Sequence, residues 1–106
     1  MSLLQVFRGL FPRAKARRVP LVLYTRALCP LCEEMHRAIE AAGLGEGIEL
    51  VSIDVDSDAE LVARYGHEVP VLEIAGRKSF VGRLDPRALA LAVEQAARSL
   101  PRGGSR

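Results

Sequence analysis

The stretch that decides the fold is Leu21-Val22-Leu23-Tyr24-Thr25-Arg26-Ala27-Leu28-Cys29-Pro30-Leu31-Cys32. Leu21–Thr25 is an unbroken run of strand length, with both faces apolar as in a central strand. Beyond it, Leu31, Met35, Ala38, Ile39 and Ala42 recur at helical spacing up to Gly43. The only two cysteines, Cys29 and Cys32, fall where the first pattern gives way to the second. Cys29 stands where the N-cap belongs, and Pro30 suits the first helical position, where no backbone N–H is needed. The first amides of a helix lack intrahelical partners, and with the macrodipole they favour a sulfur anion at Cys29. The thiolate is the nucleophile, so a lowered pKa makes it available near neutral pH. Cys32 lies about one turn further in. It is expected to be more buried, and close enough to attack a mixed disulfide on Cys29. The pair therefore reads as an attacking Cys29 and a resolving Cys32 in reversible dithiol–disulfide chemistry.

Outward from this stretch the elements alternate. Ile48–Asp54 reads as a second strand. Ser57-Asp58-Ala59-Glu60 has capping-box spacing and predicts a helix through Tyr65, closed by Gly66. Val71–Ile74 and Lys78–Val81 read as strands about a turn at Ala75-Gly76-Arg77. Asp85-Pro86 then caps a third helix that carries Leu89, Ala92, Val93 and Ala96 to about Ser99. The order β-α-β-α-β-β-α predicts an α/β fold, a four-stranded mixed sheet with flanking helices. Its first two strands are parallel with a right-handed crossover, and its hairpin is antiparallel.

The 106 residues suffice for one domain with one modest core, and an apolar content of 49% makes that domain globular. No apolar run approaches the roughly 18 residues of a membrane span. The opening Met-Ser-Leu-Leu-Gln-Val-Phe lacks the charged leader and cleavage site of a signal peptide. Two cysteines make no secreted-type disulfide framework, so a reducing cytoplasm is the expected location.

The net charge of +2 conceals an uneven distribution. Residues 1–18 carry Arg8, Arg13, Lys15, Arg17 and Arg18 and no acid. Residues 19–99 hold all 13 acids against eight bases, a balance of −5. A body without a basic stripe argues against nucleic acid as a partner. The chain thus divides into a basic amphipathic extension, 1–18, a domain, 19–100, and a tail, 101–106. The extension, with Leu3, Leu4, Val6, Phe7, Leu10 and Phe11 around Arg8, reads first as a segment packed on the domain or frayed. Its second reading is an arm for a membrane surface or a partner.

The element order, the Cys29-Pro30-Leu31-Cys32 motif after strand one and Val69-Pro70 before strand three together resemble the thioredoxin fold. The compact form is similar to its glutaredoxin-like branch, over about residues 20–99. The resemblance implies a cis Pro70 beside the active disulfide, with the Val69 backbone pairing with substrate by strand addition. It implies that Arg26, three residues before Cys29, meets a glutathione carboxylate. It also places Gly82 and Asp85 near the glutathione amino end. Some positions depart from the pattern. Val81 stands where a paired glycine is expected, Leu84 where one of two acids is, and Leu31 where an aromatic is. Leu23 takes the place of the buried acid of thioredoxins. Glu33 and His36, four residues on from Cys29 and Cys32 respectively, read first as exposed helix positions and second as candidate proton carriers. Glu33 and Glu34 also offset part of the pKa lowering at the cysteines.

By this resemblance the chain is a monomeric thiol–disulfide oxidoreductase acting on protein or glutathione mixed disulfides and served by a thiol reductant system. No cofactor is tightly bound, and glutathione is a candidate reductant or ligand. Two other readings compete. Cys29, Cys32 and His36 have C-x₂-C-x₃-H spacing, and with His67 they form a candidate zinc set. Alternatively, the fold is kept as an adaptor and the basic arm captures the partner.

Overall fold

The computed structural model describes residues 18–100. Residues 1–17 and 101–106, and with them the readings placed on the extension and the tail, lie outside the described residues. The elements run β1 (Val19–Thr25), α1 (Pro30–Ala41), β2 (Ile48–Asp54), α2 (Ala59–Tyr65), β3 (Val71–Ile74), β4 (Arg77–Val81) and α3 (Pro86–Ser99). Short 3₁₀ turns at Gly45–Gly47 and Val55–Ser57 flank β2. The sheet order is β2-β1-β3-β4. β1 is parallel to β2, with Val19 opposite Ile48 and Thr25 opposite Asp54. It is antiparallel to β3, with Leu21 opposite Ile74 and Tyr24 opposite Val71. β3 and β4 form the hairpin.

The apolar run at β1 is explained by this central place. Its odd residues Val19, Leu21 and Leu23 are fully buried under the first layer of helices. There they meet Met35 and Ile39 of α1, Leu72 and Ile74 of β3, and Leu89 and Val93 of α3. Met35 and Ile39 are four residues apart, as are Leu89 and Val93, so each helix presents one stripe to the sheet. Tyr24 points to the opposite face. There it packs against a smaller cluster of Val55, Tyr65 and Val71 beneath α2.

Most boundaries follow the sequence to within two residues. β1 begins at Val19 rather than Leu21, because Val19 pairs with Ile48. Gly43 closes α1 as expected: it sits at φ 64°, and its N–H donates to the Glu40 carbonyl. The start of α2 differs from expectation. Its N-cap is Asp58, whose Oδ1 accepts from the Glu60 N–H at 3.0 Å. Ser57 belongs to the preceding 3₁₀ turn, and its hydroxyl donates to the Asp54 carbonyl at 2.6 Å. The hairpin turn is the two residues Ala75-Gly76, at φ 51° and 84°. Positive φ at both centres is the pair of conformations that matches the strand twist, so β4 starts at Arg77.

Candidate active site: the helix terminus and the proline loop

Cys29 is the N-cap of α1, in extended conformation at φ −121° and ψ 101°. Its Sγ accepts the Cys32 N–H at 3.1 Å, and its carbonyl accepts the Glu33 N–H at 3.1 Å. Pro30 occupies the first turn, as expected. Cys29 and Cys32 form a disulfide, their Cα atoms 5.2 Å apart. The two sulfurs differ in surroundings. Cys29 is half-buried at the helix tip, whereas Cys32 is only 3% exposed. A free thiolate at Cys29 would keep the Cys32 amide as a donor, which is the physical basis of a lowered thiol pKa at a helix N-terminus. Leu28, just before the pair, holds φ 57° and is 99% exposed. It gains nothing from the core, and it places a bare apolar side chain at the rim of the disulfide.

An open cleft of about 240 Å³ runs beside Cys32, lined by Leu23, Arg26, Leu28, Glu33, His36 and neighbouring residues. Leu23 is buried at its floor, so the side facing Cys32 is apolar where thioredoxins are expected to carry an acid. Glu33 and His36 line this cleft, and both are exposed helix positions. His36 Nδ1 also lies 3.6 Å from Glu40 Oε2. Glu34 turns elsewhere and binds Arg83 at 3.1 Å.

The proline loop is held from two sides. The Val69–Pro70 bond is cis and Pro70 is fully buried. The Gly82 N–H donates to the Pro70 carbonyl at 2.9 Å, with Gly82 itself at φ 82°, a conformation that favours glycine. The Val69 N–H is already taken by the Tyr65 carbonyl at 3.1 Å. Strand addition at this residue would therefore begin from its carbonyl. Asp85 is committed as the N-cap of α3, its Oδ1 accepting from the Arg87 N–H at 3.2 Å.

Arg26 has the most occupied side chain of the site. Its Nε and Nη2 each reach an Asp56 carboxylate oxygen at 3.0 Å, and Nη1 donates to the Gly66 carbonyl at 3.1 Å. The hydrogen bonds to Asp56 raise its pKa further above the usual arginine value. This fork ties the loop carrying Cys29 to the turn after β2 and to the end of α2. The sequence did not single out Asp56, because a separation of 30 positions from Arg26 leaves no local signal.

A second group missed by the sequence supports the proline loop. Tyr65 donates to Glu73 Oε2 at 2.7 Å, and Tyr24 lies 3.4 Å from Oε1 of the same carboxylate. The two rings stack with centroids 4.4 Å apart. The hydrogen bond to Glu73, with burial, pushes the Tyr65 phenol up to about 12.

The candidate zinc set is not assembled. Both cysteines are in the disulfide, and among the described residues no three His, Cys, Asp or Glu side chains converge as a metal site. Among the same residues no helix is long and apolar enough to cross a membrane.

Comparison with known proteins agrees with this geometry. Residues 20–94 match the family model of the Glutaredoxin-like domain (DUF836). No curated protein matches the chain. Among solved structures, a structural-genomics target protein from X. campestris is 33% identical over 71% of this chain and 96% of its own, with a TM-score of 0.61. A protein from Nitrosomonas europaea solved by NMR is 28% identical over 71% of this chain and 91% of its own, also at 0.61. A mutant thioredoxin from Halobacterium salinarum is 23% identical over 84% of this chain and 83% of its own, at 0.60. This last likeness bears on the fold alone.

Proposed function

The chain belongs to the Glutaredoxin-like domain family, and we propose that this thioredoxin-like redox domain is a dithiol–disulfide oxidoreductase acting through Cys29 and Cys32. One observation carries the reading. The Cys29 sulfur sits at the helix terminus with the Cys32 amide directed at it, while the Cys32 sulfur is buried one turn behind. In the reduced protein the Cys29 thiolate attacks one sulfur of a substrate disulfide. A mixed disulfide forms and the other substrate sulfur leaves as thiolate, taking up a proton. Cys32 then loses its proton and attacks Cys29 Sγ. The Cys29–Cys32 disulfide closes and the second substrate thiol is released. The substrate gains two electrons and the domain loses two, which an external thiol reductant restores.

Cys32 needs a route for its proton, and Glu33 and His36, which line the cleft, are the carriers to solvent in this reading. The substrates are proteins bearing disulfides or mixed disulfides, met in a reducing cytoplasm by a monomeric domain. Alkylation of the reduced protein with iodoacetamide at neutral pH tests the assignment of roles. Cys29 is expected to react first, Cys29→Ser to abolish reduction of insulin disulfides, and Cys32→Ser to accumulate mixed disulfides. Faster labelling of Cys32 would reverse the roles. A pair that stays reduced in a mildly oxidising glutathione buffer would remove the oxidoreductase reading itself.

A further inference from the structure

We propose that Asp56 is a specificity-determining residue. By occupying the guanidinium of Arg26, it withdraws the cation that an acidic tripeptide thiol would need and turns the site toward protein disulfides. This rests on the oxidoreductase reading above and names the substrate class of the same site. Glutathione carries two carboxylates, so its docking beside Cys29 calls for cationic or amide donors. Arg26 is the cation that lines the cleft holding Cys32. Its fork, however, is filled: two nitrogens face the two Asp56 oxygens at 3.0 Å, and the third donates to the Gly66 carbonyl. A planar guanidinium paired side-on with a carboxylate has spent its best geometry. An incoming carboxylate would have to displace Asp56 or approach a neutralised pair.

A second cation is engaged in the same way, since Arg83 holds Glu34 of α1 at 3.1 Å. The rim instead offers Leu28, 99% exposed, an anchor for an apolar side chain on a polypeptide.

The test uses the full chain, reduced with dithiothreitol and desalted, in single-turnover reactions. Three substrates are compared: a peptide–glutathione mixed disulfide, the same disulfide with the glutathione carboxylates esterified, and insulin. With Arg26 neutralised, the wild type is expected to reduce the acid and the ester at rates within about twofold. In D56N the freed guanidinium is expected to favour the acid over the ester about fivefold, the scale of a partly exposed ion pair. That preference should vanish in D56N combined with R26Q, and in about 1 M salt, where charges are screened beyond about 3 Å. Insulin reduction by D56N shows that the variant is folded. If D56N is inactive on insulin, the wild-type comparison decides alone. A wild type that prefers the acid several-fold overturns this proposal and leaves the enzyme reading standing. So does a folded D56N with no preference. A wild type that reduces none of the three substrates overturns both.

Discussion

Tyr65 serves the site through three different groups. Its ring stacks on Tyr24, its hydroxyl donates to Glu73, and its carbonyl holds the Val69 N–H ahead of Pro70. The hydroxyl makes a prediction about pH. Its pKa is raised from the ordinary value of 10.0 to about 12 by the hydrogen bond to Glu73, then by burial. The folded protein therefore holds this proton more tightly than the unfolded chain does. The associated stability is complete below pH 10 and is lost as pH rises from about 10 to about 12. Tyr24 is shifted in the same direction, chiefly by burial. Urea midpoints measured across that window should fall more steeply for the wild type than for Tyr65→Phe, which lacks the ionising group. Lysines and arginines titrate in both proteins and cancel in the difference, and Tyr24, which shares the Glu73 carboxylate with Tyr65, is removed from the comparison by making it in a Tyr24→Phe background. Parallel curves would show that the phenol gains nothing from Glu73.

At the scale of elements, legibility depended on sequence distance. β1 and α1 could be read directly, because the switch of apolar spacing, the cysteine pair and Pro30 lie within a dozen residues and each supports the same boundary. The order of the remaining elements followed from Gly43, Gly66 and the Asp85-Pro86 cap. The start of α2 misled because Ser57 and Asp58 are both good caps, and spacing to Glu60 favours the serine. The 3₁₀ turn after β2 decided otherwise: it engages Ser57 with the Asp54 carbonyl and leaves Asp58 extended at φ −154°. The two capping residues are separable by experiment. Asp58→Ala should cost about 1 kcal/mol of unfolding free energy, the usual loss of an N-cap. Ser57→Ala should cost less, because its hydroxyl bonds a carbonyl of the preceding 3₁₀ turn and satisfies no amide of the helix end. The reverse order in urea denaturation would return the cap to Ser57. At the site, Cys29, Cys32 and Pro70 were legible from motif and resemblance. The occupation of Arg26 was not, because Asp56 reaches it only once β1 and β2 are paired in register.

The whole molecule joins two hydrophobic clusters across one strand. Leu21 and Leu23 of β1 face α1 and α3, while Tyr24 faces α2. The two halves of the candidate site divide in the same way: Cys29 opens α1, and Pro70 follows the turn after α2. Neither cluster keeps its sheet backing if β1 leaves, since β1 bonds to β2 on one side and to β3 on the other. The domain is therefore expected to lose both clusters in one transition, as small single domains do. The sequence supplies separate reporters for this. The chain has no tryptophan and two tyrosines, and both tyrosines lie in the cluster beneath α2. Near-UV circular dichroism through the tyrosines thus follows that cluster, whereas the far-UV signal follows mainly α1 and α3. The two urea transitions should coincide in midpoint and slope. Leu89→Ala, which opens space only in the cluster beneath α1 and α3, should move both together by about 2–5 kcal/mol. If the tyrosine signal instead kept its wild-type midpoint while the far-UV signal shifted, the clusters would be independent. The proline loop could then be intact while the cysteine helix was not, and β1 would not be the strand that couples them.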